Sequence, residues 1–245
     1  MRHWLRSYLL LLRWHTIRLR YLLPLMLVIQ TLLAVGIVVG FSFLLPTIDD
    51  ATALYLATGA PTLGLITVGM VLAPQMVAQA KTEGTFDYHR TLPVPRSALL
   101  AADVTTWFAT SLPGLALALF TATLRFDLDL DVSPLVVPAI LLVALTATAI
   151  GYAISYAVPP AVANLAAQVI VFVALMFSPI NFPADRLPGW LQAVHQVLPF
   201  QHMAEAIRGT LVAGAAGLDA VPFAVLAVWC ALGLTVTLRV MTRRS

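Results

Sequence analysis

The chain has 245 residues, 60% of them hydrophobic and only 10% charged, with a mean hydropathy of +0.92. Soluble domains carry about 25% charged residues, so a water-soluble globular fold is excluded and an integral membrane protein is indicated. Basic residues exceed acidic ones by 14 to 11, and all but Lys81 are arginines set beside apolar runs, which fits membrane anchoring and argues against nucleic acid as a partner.

The opening MRHWLRSYLLLLRWHTIRLR places Trp4, Leu5, Tyr8, Leu9 and Leu12 at helical spacing, with Arg2, Arg6 and Arg13 elsewhere on the wheel. This predicts an interfacial helix over residues 1–20, lying on the inner leaflet. The apolar stretch behind it is longer than the roughly 7–15 residues of a signal-peptide core and no A-x-A site follows, so the segment is expected to be retained. Charges are costly in hydrocarbon, so the gaps between them outline the membrane spans. Arg20 to Asp49, Asp50 to Lys81, Asp103 to Arg125 and Asp219 to Arg239 each hold one helix of about 20 residues. The gap from Asp131 to Asp185 has 53 residues and is broken by Pro159-Pro160, so it crosses twice. Six spans are predicted, at 21–45, 55–78, 100–124, 134–156, 162–180 and 219–240, with Asp103 at a helix end.

An even number of crossings puts both termini on one side. Eleven of the fourteen basic residues fall on that side, against Arg125, Arg186 and Arg208 on the other, and the positive-inside rule then makes both termini cytoplasmic.

Several engines are missing. There is no G-x-x-x-x-G-K-[ST] loop, and Lys81 in VAQAKTEG lacks the glycines whose amides cradle phosphate, so ATP hydrolysis by this chain alone is not expected. His3, His15, His89, His195 and His202 form no H-E-x-x-H, the lone Cys230 cannot build a zinc cluster, and no metal site or cofactor is expected on the chain. No predicted span holds a Ser/His/Asp arrangement, paired carboxylates or a central acid, which disfavours an intramembrane hydrolase and ion-driven transport. A permease driven by a separate energy-supplying subunit fits better.

Between the last two spans, Pro179, Pro183, Pro188 and Pro199 forbid a continuous helix over 179–218. Two short amphipathic helices fit. Trp190, Leu191, Val194, Val197 and Leu198 would form the apolar face of the first, and Phe200, Met203, Ala204, Ile207 and Leu211 that of the second, with Gln201, Glu205 and Arg208 on another face. This predicts a hairpin re-entering the outer leaflet, where protein or water must satisfy its backbone. Glu205 and Arg208, at i and i+3, can pair at that depth or sit as a weak surface pair among lipid headgroups.

The string FSPINFPADRLPGWLQAVHQVLPFQHMAEAIRGTL, residues 177–211, resembles the hallmark of ABC transporter type-2 permeases. Ser178, Pro179, Ile180, Pro183, Leu187, Pro188, Pro199, Glu205 and Arg208 match its apolar-S-P-I-x-[FY]-P, L-P and E-x-x-R elements. A second resemblance lies in AQAKTEGTFDYHRTLPVPRSALLAAD, where Glu83, Gly84, Thr85, Phe86, Asp87, Leu92, Pro93, Val94, Pro95 and Arg96 follow the family's E-x-G-T-apolar-[ED] and L-P-V-[SP]-R segment. The resemblance implies an all-α membrane domain over the whole chain, with six spans, an N-terminal interfacial helix and the outer hairpin. It implies that residues 79–99 form a coupling loop docking on a separate ABC ATPase subunit, which binds ATP and Mg. It further implies that two such domains pair through spans one and five, calling for a second permease copy or a sister permease. Gly36 and Gly40 in the first span form G-x-x-x-G, a spacing that permits close helix approach but is frequent in apolar helices. Thr31, Ser42, Asn164 and Gln168 are the expected pathway lining; few and uncharged, they favour amphipathic or lipid-like cargo. The expected function is ATP-driven export of a drug, antibiotic or lipid from a bacterial cell. Lipid-linked polysaccharide export and a non-transporting membrane enzyme or scaffold are the alternatives.

Overall fold

The computed structural model describes residues 2–44, 49–84, 93–126, 131–212 and 219–242, and within them every regular element is helical. In chain order these are α1 (Arg2–Leu19), α2 (Leu23–Leu44), α3 (Asp50–Thr67), a π-helical segment (Val68–Leu72), α4 (Ala73–Thr82), α5 (Arg96–Phe126), α6 (Val136–Ala157), α7 (Pro160–Met176), α8 (Gly189–His195), α9 (Pro199–Leu211) and α10 (Val221–Thr242). Five stretches among the described residues are long and apolar enough to cross a membrane: Leu23–Gly40, Ala51–Thr82, Arg96–Phe126, Val136–Ala157 and Val221–Met241. The helix predicted over 162–180 is α7, only 17 residues long. At about 1.5 Å per residue it falls a few ångströms short of a core about 30 Å thick.

The Asp50–Lys81 gap underestimates its helix. The predicted span 55–78 is the middle of a continuous rod, α3–π–α4, running from Asp50 to Thr82. Asp49 caps its start by accepting from the Thr52 backbone N–H at 3.1 Å, and hydrogen bonds from Thr52 hold the Asp49 carboxyl below its ordinary 3.8. Pro74 has no N–H to give back to a carbonyl of the π segment, and its own carbonyl accepts from the Ser155 hydroxyl at 2.9 Å. The α6 backbone crosses here so closely that a Cβ on Gly151 would lie 2.3 Å from the Gly69 carbonyl oxygen.

Helix α5 likewise starts before the expected residue 100. Pro95 precedes it and its carbonyl accepts from Ala98 and Leu99, so Asp103 lies inside the helix, two turns from its start, and not at its end. The Pro159-Pro160 break is as steric reasoning requires: Val158 and Pro159 are extended and Pro160 opens α7.

Two apolar cores are stacked along the bundle. One joins Val38, Ile66, Leu115, Val143 and Leu226 to the α9 residues Met203, Ile207 and Leu211. The other joins Leu11, Leu19, Val77, Leu100, Trp107, Tyr152 and Met241. The first lies beside residues 177–212, here called the hairpin end; the second lies beside α1, residues 81–84 and residues 93–97, the loop end.

Candidate functional site

At the hairpin end each proline has a position that suits its missing N–H. Pro183 precedes the short turn Ala184–Arg186, Pro188 precedes α8, Pro199 opens α9, and Pro179 is buried beside Ser178. His195 is 1% exposed and its Nε2 lies 2.9 Å from the Phe177 carbonyl, tying α8 back to the end of α7. Burial holds the His195 imidazole below its ordinary 6.5. His202 Nε2 reaches the Gln196 carbonyl at 2.9 Å. The second predicted apolar face is the buried one: Phe200, Met203, Ala204, Ile207 and Leu211 all pack inward. The first is turned outward, with Trp190 70%, Val194 44% and Val197 68% exposed. Its helix has only seven residues, and His195 takes the inward position.

The expected Glu205–Arg208 ion pair does not form. Arg208 reaches across the bundle to the rod: its Nε donates to Thr58 Oγ1 at 3.0 Å, a terminal nitrogen donates to the Ile180 carbonyl at 2.8 Å, and the guanidinium lies 3.8 Å from the centre of the Tyr55 ring. Glu205 turns instead to His202 Nδ1 at 3.2 Å and accepts from Gln201 Nε2 at 2.7 Å. The physical reason is exposure: Glu205 keeps about a third of its side chain in the open while Arg208 needs acceptors for its fork inside the protein. Next to Thr58 on α3, Gly59 faces Asn181, where a Cβ would come within 2.1 Å of Asn181 Oδ1. Glycine thus lets the Ile180–Asn181 turn sit directly on the rod.

At the loop end, Lys81 Nζ donates to three carbonyls at the end of α6, those of Ser155, Tyr156 and Val158, at 2.6, 3.3 and 3.2 Å. The lysine satisfies groups that a helix C-terminus otherwise leaves open, and its charge suits the negative end of the helix dipole. The next residues are those expected to couple to an ATPase. Glu83 closes the rod and accepts from Gln79 Nε2 at 2.7 Å. Gly84 follows with φ +76°, a left-handed conformation that glycine adopts without strain and that turns the chain away from the helix. Thr85, Phe86 and Asp87 lie outside the described residues, whereas Pro93 is exposed and Arg96, half-buried, begins α5.

Helix α1 docks along this same start of α5. Trp4 Nε1 donates to Ser97 Oγ at 3.0 Å, Tyr8 OH to Thr105 Oγ1 at 3.1 Å, and His15 Nε2 lies 3.1 Å from Asp103 Oδ1. The docked face therefore runs through Trp4, Tyr8, Leu11, His15 and Leu19, while Leu5 and Leu9 of the predicted apolar face point outward. The His15–Asp103 pair escaped sequence reasoning because Asp103 was placed at a helix end. Its signal was the histidine, which repeats with Trp4, Tyr8 and Leu11 on one helical face.

The remaining candidates lie on open faces. Gly36 and Gly40 of α2 have no atom within 4 Å of a Cβ built on them. Asn164 and Gln168, one turn apart on α7, are exposed beside Leu165 and Val169. The Thr31 hydroxyl is bound to the Leu27 carbonyl, and the Ser42 side chain lies outside the described residues.

No curated protein matches the chain. Residues 13–212, well over half of the sequence, match the family described as ABC-2 type transporter. On that match, with its apolar crossing helices, this multi-pass membrane chain belongs to the ABC-2 type transporter family, as a membrane permease of an ABC transporter.

Proposed function

We propose that the chain is the permease subunit of an ATP-driven exporter in a bacterial plasma membrane, moving a hydrophobic or amphipathic compound such as a drug, antibiotic or lipid. In this reading the chain crosses six times, α7 being the short span, and both termini are cytoplasmic. A separate ABC ATPase holds ATP and Mg and docks on residues 79–99, with Glu83, Gly84, Thr85, Phe86, Asp87, Pro93 and Arg96 at the contact. A second copy or a sister permease faces α2 and α7, where Gly36, Gly40, Asn164 and Gln168 are open.

The observation that carries the reading is the rod. One unbroken helical element, Asp50–Thr82, joins the loop end to the hairpin end. At one end Lys81 ties it to α6, and at the other Arg208 ties the hairpin to it through Thr58 and Tyr55. Closure of the ATPase on nucleotide would displace Glu83–Gly84, and a helix moves as a rigid body, so the displacement reaches the Ile180–Asn181 turn and the hairpin behind it. The open α7 face, uncharged amides set among Leu165, Val169 and Phe172, suits amphipathic cargo better than ions.

The test is reconstitution in vesicles with and without the ATPase. The purified chain alone should neither hydrolyse ATP nor transport, and should acquire both on co-expression with its partner. ATP turnover by the rigorously purified chain would overturn the proposal.

A further inference from the structure

Between α1, α2 and α5 lies a groove of about 390 Å³, within the range of about 300–1,000 Å³ usual for ligand sites. Leu12 and Thr16 of α1, Leu23 and Leu27 of α2, and Ala109 and Pro113 of α5 form its walls. Four threonines border it, and each hydroxyl is bound to the carbonyl one turn back on its own helix: Thr16 to Leu12, Thr105 to Ala101, Thr106 to Ala102 and Thr110 to Thr106. No hydroxyl hydrogen of these threonines is left to donate to a ligand, and the leucine, alanine and proline walls suit hydrocarbon. Two arginines outside this lining adjoin it at Thr16 and give the groove a basic mouth. Arg13 and Arg20 are exposed and lie next to Thr16 on the helical surface, Arg20 one turn on, where its N–H donates to the Thr16 carbonyl at 3.1 Å. Arg20 is held over the Tyr21 ring, 4.5 Å from its centre, at the corner where α1 turns into α2. From Thr105 to Pro113 the α5 wall runs about 12 Å at 1.5 Å per residue, so a molecule with its charged head at the arginines would send its tail along the spans.

We propose that this groove is a binding site for an anionic phospholipid of the leaflet on which α1 lies, with one acyl chain in the groove and the phosphate at Arg13 and Arg20. Charge complementarity selects the headgroup: two arginines at the mouth attract an anionic lipid more strongly than a zwitterionic one. The site holds α1 against α5 through a lipid wedged between them. The proposal rests on α1 being the interfacial helix of the exporter.

The experiment is native mass spectrometry of the full chain in mild detergent, titrated with phosphatidylglycerol or phosphatidylcholine carrying the same acyl chains. One phosphatidylglycerol should be retained, roughly ten- to thirty-fold more tightly than phosphatidylcholine, as two basic residues at an anionic surface predict. Ala109→Phe, at an exposed position, should fill the groove and abolish retention of both lipids. The double variant Arg13→Gln/Arg20→Gln, at two exposed positions, should bring phosphatidylglycerol down to the phosphatidylcholine level and leave the latter unchanged. Equal affinity for the two lipids in the wild type, undiminished retention in Ala109→Phe, or an unchanged preference in the double variant would each overturn the site. Transport by a complex without lipid preference removes this site and leaves the exporter; lipid preference in a complex that does not transport does the reverse.

Discussion

Arg208 and Thr58, separated by 150 positions in sequence, meet at 3.0 Å between Nε and Oγ1. Thr58 is fully buried, and its hydroxyl hydrogen is already given to the Leu54 carbonyl at 2.8 Å, which leaves the oxygen free to accept from arginine. The contact fastens α9 to the rod.

Arg208→Met is expected to lower stability by about 1.5–3 kcal/mol, the effect of losing hydrogen bonds to a charged group, and to leave the Ile180 carbonyl without its partner. Thr58→Val should cost less, about 1 kcal/mol, because the terminal nitrogen keeps Ile180. Arg208→Lys should behave like Arg208→Met and not like wild type, since an ammonium lacks the planar fork that spans Thr58 and Ile180 over Tyr55. Thermal unfolding in detergent gives the order, at about 2–4 °C per kcal/mol for a chain of this size.

Lys81→Met should loosen the other end of the rod by a similar amount, because three α6 carbonyls lose their donor at once. The same thermal assay tests this. Hydrogen exchange should also rise at the end of α6 and in the first turn of α7, and protection equal to wild type at amides 155–158 and 161–163 would show that the lysine is dispensable there.

His195 predicts a pH dependence. Its folded-state value lies below 6.5 because burial disfavours the cation, so the unfolded chain takes up a proton more readily. The associated stability is fully present above pH 6.5 and is lost as pH falls from there through the folded value. The unfolding midpoint should therefore fall on acidification below pH 6.5, and His195→Gln should remove that component. A midpoint that rises on acidification, or a slope identical in His195→Gln, would contradict the assignment.

The membrane character of the chain and the approximate positions of its crossing helices are legible in the sequence because charges are too costly to place in hydrocarbon at random. The limits of that argument are also physical. Charge gaps mark where a helix cannot hold a free charge, not where it ends, so they missed the extensions of the rod to Thr82 and of α5 to Arg96. Asp103 entered a crossing helix because His15 was supplied from α1, a partner 88 positions away that no local pattern reveals. The i, i+3 spacing of Glu205 and Arg208 suggested a pair, yet the arginine found better acceptors on α3 and at Ile180. Inward packing of α9 followed from periodicity; the outward face of α8 did not, since seven residues are too few for periodicity to choose a side.

The central claim is that force enters at Glu83–Gly84 and leaves at the hairpin. The direct measurement is co-purification of the permease with its ATPase, with vesicle efflux, for wild type, Glu83→Arg, Gly84→Val and Glu205→Ala. Gly84→Val places a β-branched residue at φ +76° and Glu83→Arg reverses a charge at the proposed docking surface, so both should weaken assembly and lower efflux together. Glu205→Ala, at the far end, should leave assembly intact and alter efflux alone. Assembly and efflux equal to wild type after both the Glu83 and Gly84 changes, or loss of assembly specific to Glu205→Ala, would contradict the account.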